Sequence, residues 1–140
     1  MQPAISTILA LDVGERRVGV ARANTFARIA SALTTLERGP EIIQAIQKLI
    51  SAENASVLVV GLPRGLQGQH TQQTKNTEAF GEELAQALSI PVKWQDEAVT
   101  SRKAEAELQA RGKPYQKGDI DALSAVYILE DYLRDNPEDS

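Results

Sequence analysis

The chain has 140 residues, 42% of them hydrophobic and 24% charged, which suffices for one buried core and excludes disordered and fibrous classes. Cysteine is absent, ruling out disulfides and thiolate metal sites, and no apolar run reaches the length of a membrane span. The net charge of −4 is uneven: residues 1–117 carry +2 and residues 118–140 carry −6, so overall acidity does not exclude a phosphate-binding face.

Ser6 to Leu11 is a short apolar run that ends in Asp12-Val13-Gly14-Glu15, whose Asp and Gly suit a turn, so a strand and a hairpin come first. Val18 and Val20 alternate with Gly19 and Ala21 in the returning strand, and the β-branched residues of Ile29 to Leu36 predict a third. Gly39-Pro40-Glu41 opens a helix with Ile42, Ile43, Ile46, Leu49 and Ile50 on one face. Val57-Leu58-Val59-Val60 has no polar alternation, which suits a strand covered on both faces. A loop rich in Gly and Gln runs to His70, and Ala79, Phe80, Leu84, Ala87 and Leu88 mark a second helix.

Ile90, Val92 and Trp94 alternate with Pro91, Lys93 and Gln95 in a half-buried strand that stops at Asp96-Glu97, the proline suggesting a place near an edge. Thr100 or Ser101 caps a helix through Leu108, ended by Arg111-Gly112-Lys113-Pro114. A last helix covers Gly118 to Leu133 and an acidic, disordered tail spans 136–140, leaving residues 1–135 as one domain. Three strands followed by helices alternating with two more imply an α/β fold with a mixed five-stranded sheet flanked by helices.

Three carboxylates lie at element ends. Asp12 closes the first strand, Glu97 follows the last, and Asp121 begins the final helix on the stripe of Ala125, Ile128 and Tyr132. Parallel first and last strands bring Asp12 and Glu97 to the sheet edge where α/β ligand sites form. Clustered carboxylates repel, and a divalent cation relieves the repulsion; oxygen ligands suit Mg²⁺ or Mn²⁺, and two such ions serve phosphodiester cleavage. Each residue also has an ordinary role: a turn for Asp12, a surface charge for Glu97, a helix N-terminus for Asp121. Arg16, Arg17, Arg64, Arg102, Lys103, Arg111, Lys113 and Lys117 are available for phosphates, or for a solvated surface. Tyr115, in the basic loop, is a candidate for base stacking, whereas Trp94, Tyr127 and Tyr132 lie in core patterns, and His70 is a solvated loop residue.

Over most of residues 7–133 the chain resembles the YqgF-type, or RuvX-like, family of pre-16S ribosomal RNA nucleases and Holliday-junction resolvase homologues, within the RNase H-like superfamily. Four ordered blocks carry the likeness: Leu11-Asp12-Val13-Gly14-Glu15-Arg16-Arg17-Val18-Gly19-Val20-Ala21; Val59-Val60-Gly61-Leu62-Pro63; Asp96-Glu97 with Thr100-Ser101; and Ile120-Asp121-Ala122 with Ala125 and Ile128-Leu129. The resemblance implies an RNase H-like fold and an acidic triad of Asp12, Glu97 and Asp121 that binds catalytic Mg²⁺ or Mn²⁺, two ions with Asp12 bridging. It also implies that Arg16, Arg17 and Arg64 line the approach of the phosphate backbone, with Arg102 and Lys103 near the third block. Ala98 stands where the family has an arginine, and Ala23-Asn24 where it has Ser-Asp, so Arg102 or Lys103 is expected to take over the arginine's contacts.

The function so implied is a cytoplasmic, metal-dependent endonuclease of structured RNA, trimming the 5′ end of the 16S rRNA precursor, with pre-ribosomal particles as partners and no membrane. The alternatives are a noncatalytic RNA-binding assembly factor, which Ala98 and the acidity favour, and a resolvase acting on branched DNA. A nucleotide hydrolase fits poorly, because no phosphate-loop pattern is complete.

Overall fold

A computed structural model describes residues 5–65, 67–97 and 101–137, with the backbone alone for Ser101 and Arg102. In chain order the elements are β1 (Thr7–Val13), β2 (Arg17–Asn24), β3 (Ser31–Glu37), α1 (Ile42–Glu53), β4 (Ala55–Pro63), α2 (Gln72–Ala87), β5 (Val92–Glu97), α3 (Ser101–Arg111) and α4 (Lys117–Asp135). They build one mixed sheet in the order β3-β2-β1-β4-β5, antiparallel across β3, β2 and β1 and parallel across β1, β4 and β5. This is the five-stranded RNase H-like arrangement expected.

The sheet is covered on both faces, which explains why β1 and β4 read as unbroken apolar runs. Strand alternation sends Leu9, Leu11, Val18, Val20, Leu58 and Val60 into one core with α1 and α2, including Ile46, Phe80 and Leu84. The opposite set, Ile8, Ala10, Ala21, Ala23, Val57 and Val59, meets α3 and α4. α4 buries every residue from Ala122 to Leu129 and touches all five strands. Two glycines let it lie so close. A side chain at Gly19 would collide with the Asp121 carbonyl, and one at Gly61 would collide with the Ile128 side chain.

Several boundaries differ from the sequence expectation. The first hairpin turns later: the ladder continues through Asp12↔Gly19 and Val13↔Val18, and the Gly14 N–H donates to the Arg17 carbonyl at 2.9 Å, leaving Glu15 and Arg16 at the tip. Asp12 is therefore a strand residue. β3 begins at Ser31, after a loop in which the Asn24 carboxamide accepts from the Phe26 N–H at 3.0 Å. α1 starts after Glu41, so Pro40 precedes the helix instead of occupying its first turn. α2 has a capping box between Thr71 and Thr74, and the Thr74 hydroxyl also donates to the Pro63 carbonyl, fastening the helix to the end of β4. β5 is an edge strand, as Pro91 suggested, but Trp94 is 37% exposed; its ring covers Gly81 at the sheet margin instead of entering the core. α4 extends to Asp135, and Asn136 is held by its amide donating to the Tyr132 carbonyl at 2.9 Å and by Arg28 donating to its own carbonyl at 2.8 Å. The rest of the expected tail, 138–140, lies outside the described residues, as do Ala98 and the proposed cap Thr100.

Candidate active site

Asp12 owes its position to the ladder. It stands opposite Gly19, so its side chain shares the face of Ala10 and Gly19 and points toward α4. Burial pushes its carboxyl up to about 7, and the neighbouring charge of Asp121 adds to the rise.

Asp121 is delivered by α4. A capping box between Gln116 and Asp119 starts the helix, and the Thr35 hydroxyl donates to the Gly118 carbonyl at 2.6 Å, tying that first turn to β3. Close approach at Gly19 then sets Asp121 beside β2, one strand from Asp12. The Arg17 Nε donates to Asp121 Oδ2 at 2.7 Å, and both side chains keep some exposure, 29% and 21%. A charge-assisted bond of this kind fixes the carboxylate's direction.

Glu97 ends β5 opposite Pro63, on the same sheet face and at the same strand edge as Asp12. Its carboxyl, however, meets a different part of α4. It is only 9% exposed, and burial followed by its contact with Asp131 raises it to about 8, opposed by Arg134. Glu97 Oε1 has no hydrogen-bond partner among the described residues. Asp131 lies ten residues after Asp121, or about 15 Å along the helix axis. The structure thus brings Asp12 and Asp121 together and sets Glu97 apart with Asp131; among the described residues no three carboxylates or histidines converge on one metal position.

The basic residues divide. Arg17, expected on the phosphate path, is engaged by Asp121. Arg64 holds Asp96 through two contacts of 3.3 Å, while its backbone N–H donates to the Glu97 carbonyl at 2.9 Å. Lys103 lies 4.4 Å from the Tyr127 ring centroid, on the seam between α3 and α4 where Tyr127 also donates to Glu107. The Arg102 side chain lies outside the description. Arg111 pairs with Glu107. Arg16 at the hairpin tip, Lys113 in the loop before α4, and Lys117, one turn ahead of Asp121, are exposed and make no ion pair among the described residues. Tyr115, the candidate for base stacking, is partly buried against the α4 core cluster. His70 is half-exposed, 3.5 Å from Glu78.

Two residues were missed. Asp131 was counted only within the C-terminal acidity; its position ten residues beyond Asp121 on an amphipathic helix was the available signal. Arg38 fastens the first hairpin by donating to the Gly14 carbonyl at 2.9 Å while lying over the Phe80 ring, and no sequence pattern marked it.

The donors suit a hard divalent cation: the carboxylates are oxygen ligands, two sit close enough to repel, and a buried oxygen of a third lacks a partner. Among the described residues no helix is long and apolar enough to cross a membrane.

Comparison with known proteins points to one family and to its fold. A family model described as RuvX, Holliday junction resolvase, matches residues 6–135. A Chloroflexus aurantiacus protein named "Putative pre-16S rRNA nuclease" is 44% identical over 140 residues, covering 95% of this chain and 92% of that one. The relative of the same name from Crocosphaera subtropica is 38% identical over 129 residues, covering 89% and 90%. Among solved structures, Thermus thermophilus RuvC in complex with a Holliday junction substrate superposes with a TM-score of 0.57 at 14% identity over 94% of this chain and 96% of that one. The fowlpox virus Holliday junction resolvase gives 0.54 at 9% identity over 92% and 98%. At such identities the structural matches speak to fold alone.

Proposed function

The chain belongs to the RuvX family, and from that premise we propose that it is a cytoplasmic, metal-dependent endonuclease that cuts structured RNA, trimming the 5′ end of the 16S rRNA precursor. The observation that carries the reading is the pairing of Asp12 and Asp121, two carboxylates from elements more than a hundred residues apart, at the C-terminal edge of the sheet. Nothing in the ordinary role of either residue calls for the other.

Asp12 and Asp121 are assigned as ligands of Mg²⁺ or Mn²⁺, with Glu97 as the third carboxylate of the same edge and a second ion as its counterpart. When bound, such ions supply the positive charge that activates water and stabilises the departing oxygen in phosphodiester hydrolysis. Arg17 holds Asp121 in direction. Arg16 and Lys117, free of internal partners among the described residues, receive the flanking phosphates. The names of the relatives favour RNA over branched DNA, and pre-ribosomal particles are the fitting context.

The test is cleavage of end-labelled 16S precursor RNA, free and in precursor particles, by wild type and Asp12→Asn in Mg²⁺ or Mn²⁺, with EDTA controls and a Holliday junction in parallel. Discrete 5′ cuts that need metal and Asp12 are expected, with at least a hundredfold loss in the variant. Cuts confined to the junction would transfer the assignment to DNA.

One observation favours a second reading. Because Glu97 stands with Asp131 and not with Asp12 and Asp121, the chain suits an RNA-binding assembly factor without hydrolysis. RNA bound with salt-sensitive affinity, equally by wild type and Asp12→Asn, and never cut in either setting, would establish that alternative.

A further inference from the structure

We infer that Arg17 is an exchangeable counter-ion: in the metal-free chain it occupies Asp121, and when a divalent cation takes that carboxylate it turns to a phosphate of the RNA. The inference rests on the nuclease reading and deepens it, giving one side chain two partners in turn. Strand alternation puts Arg17 on the same face of β2 as Gly19, the face that meets the Asp121 turn of α4, and diagonal to Asp12 across the β1–β2 ladder. A positive charge at that place is what two neighbouring carboxyl groups require when no metal is bound.

The bond is made in a way that can be undone. Arg17 reaches Asp121 Oδ2 through Nε, at 2.7 Å, and its two amino nitrogens make no hydrogen bond among the described residues. A guanidinium is a planar fork of five N–H donors that matches a carboxylate or a phosphate two at a time. The amino donors of this fork remain unspent. Both partners also keep contact with solvent, so opening the pair strands neither charge in the interior.

Charge decides which partner holds. Against a divalent cation Arg17 competes for the same oxygens with half the charge, and once displaced it is repelled from the pair. Released, it is a second cation beside Arg16 at the start of β2, on the path of the flanking phosphates. RNA that arrives before the metal finds Arg17 occupied, so the backbone is fully gripped only when the site is charged. Among the other cations, Arg64 is engaged by Asp96, and Lys117, one turn ahead of Asp121, makes no ion pair among the described residues.

Mn²⁺ titration of the full chain without RNA, read by electron paramagnetic resonance, tests the first partner. Arg17→Gln is expected to bind Mn²⁺ about tenfold tighter than wild type, the size of a screened repulsion between a single and a double charge a few ångströms apart. Lys117→Gln, which removes a charge that does not touch Asp121, is expected to change it about twofold or less. An arginine that only held Asp121 in place would give the opposite sign, weaker Mn²⁺ binding on its removal. In wild type, the Arg17 Nε–H resonance, identified by its absence in Arg17→Lys, is expected to shift as Mg²⁺ saturates the chain, whatever the folding of Arg17→Gln. The second partner is read by filter binding of precursor RNA over a salt series: Arg17→Gln is expected to lower the slope of log affinity against log salt by about one in Mn²⁺ and not in EDTA. Mn²⁺ bound equally or more weakly by Arg17→Gln, an unmoved resonance, or a slope lowered equally with and without metal would overturn the inference and leave the nuclease standing. Wild type that binds no Mn²⁺ would overturn both.

Discussion

Asp12 and Glu97 make the same physical point at the scale of the residue: each is a carboxyl held in the fold at a cost. Their ordinary values of 3.8 and 4.5 are raised to about 7 and about 8, first by burial and then by a neighbouring carboxyl. Over that interval the folded chain keeps protons on these two groups that the unfolded chain releases, so their contribution to metal-free stability is greatest below about pH 4 and is lost as pH rises toward 8. Melting in EDTA is expected to show this decline, with Asp12→Asn removing its own share and standing about 1–3 kcal/mol above wild type at pH 8. Equal stability of wild type at pH 5 and pH 8 would mean that these carboxyls are not buried as described. Gly19 bears on the same site through space alone. Gly19→Ala is expected to cost about 1–3 kcal/mol by denaturant titration, because the added methyl meets the Asp121 carbonyl and α4 must lift from β2. Cleavage should fall further than stability, since Asp121 moves away from Asp12 with the helix.

Helix α4 is the element on which the site depends. It buries eight consecutive residues, presents Asp121 near its start and Asp131 near its end, and takes its path from Gly19 and Gly61. Leu129 is fully buried between those two carboxylates. Leu129→Ala is expected to lower stability by about 2–5 kcal/mol in chemical denaturation, as for other large-to-small core changes. Residual activity of the folded fraction should persist, because neither carboxylate is touched. The strands were readable for a different reason: β1 and β4 have apolar side chains for both faces, and that pattern is local. The hairpin turn was misplaced by two residues because Asp and Gly suit a turn wherever they fall, while the ladder's length was fixed by pairing with β2. Trp94 was placed in the core by alternation, but alternation does not say that β5 is an edge, where the ring lies against Gly81 and stays partly exposed.

Across the whole molecule, charge is segregated by position more than by amount. The +2 of residues 1–117 and the −6 beyond them meet along α4, with Arg16, Lys113 and Lys117 left without internal partners among the described residues. RNA affinity is therefore expected to fall steeply with salt, and Arg16→Ala to reduce the slope of log affinity against log salt by about one. An unchanged slope in filter binding would remove Arg16 from the phosphate path. The sequence by itself determined the order of elements, the mixed sheet, and the three acidic residues at element ends, because periodicity and turn chemistry are written in neighbouring residues. Only the tertiary structure decided which groups meet. Asp121 reaches Asp12 and engages Arg17, while Glu97 turns to Asp131, and those pairings follow from the path of one helix across five strands. That path is set by close contact at two glycines far apart in the chain, and the chain order does not display such contact.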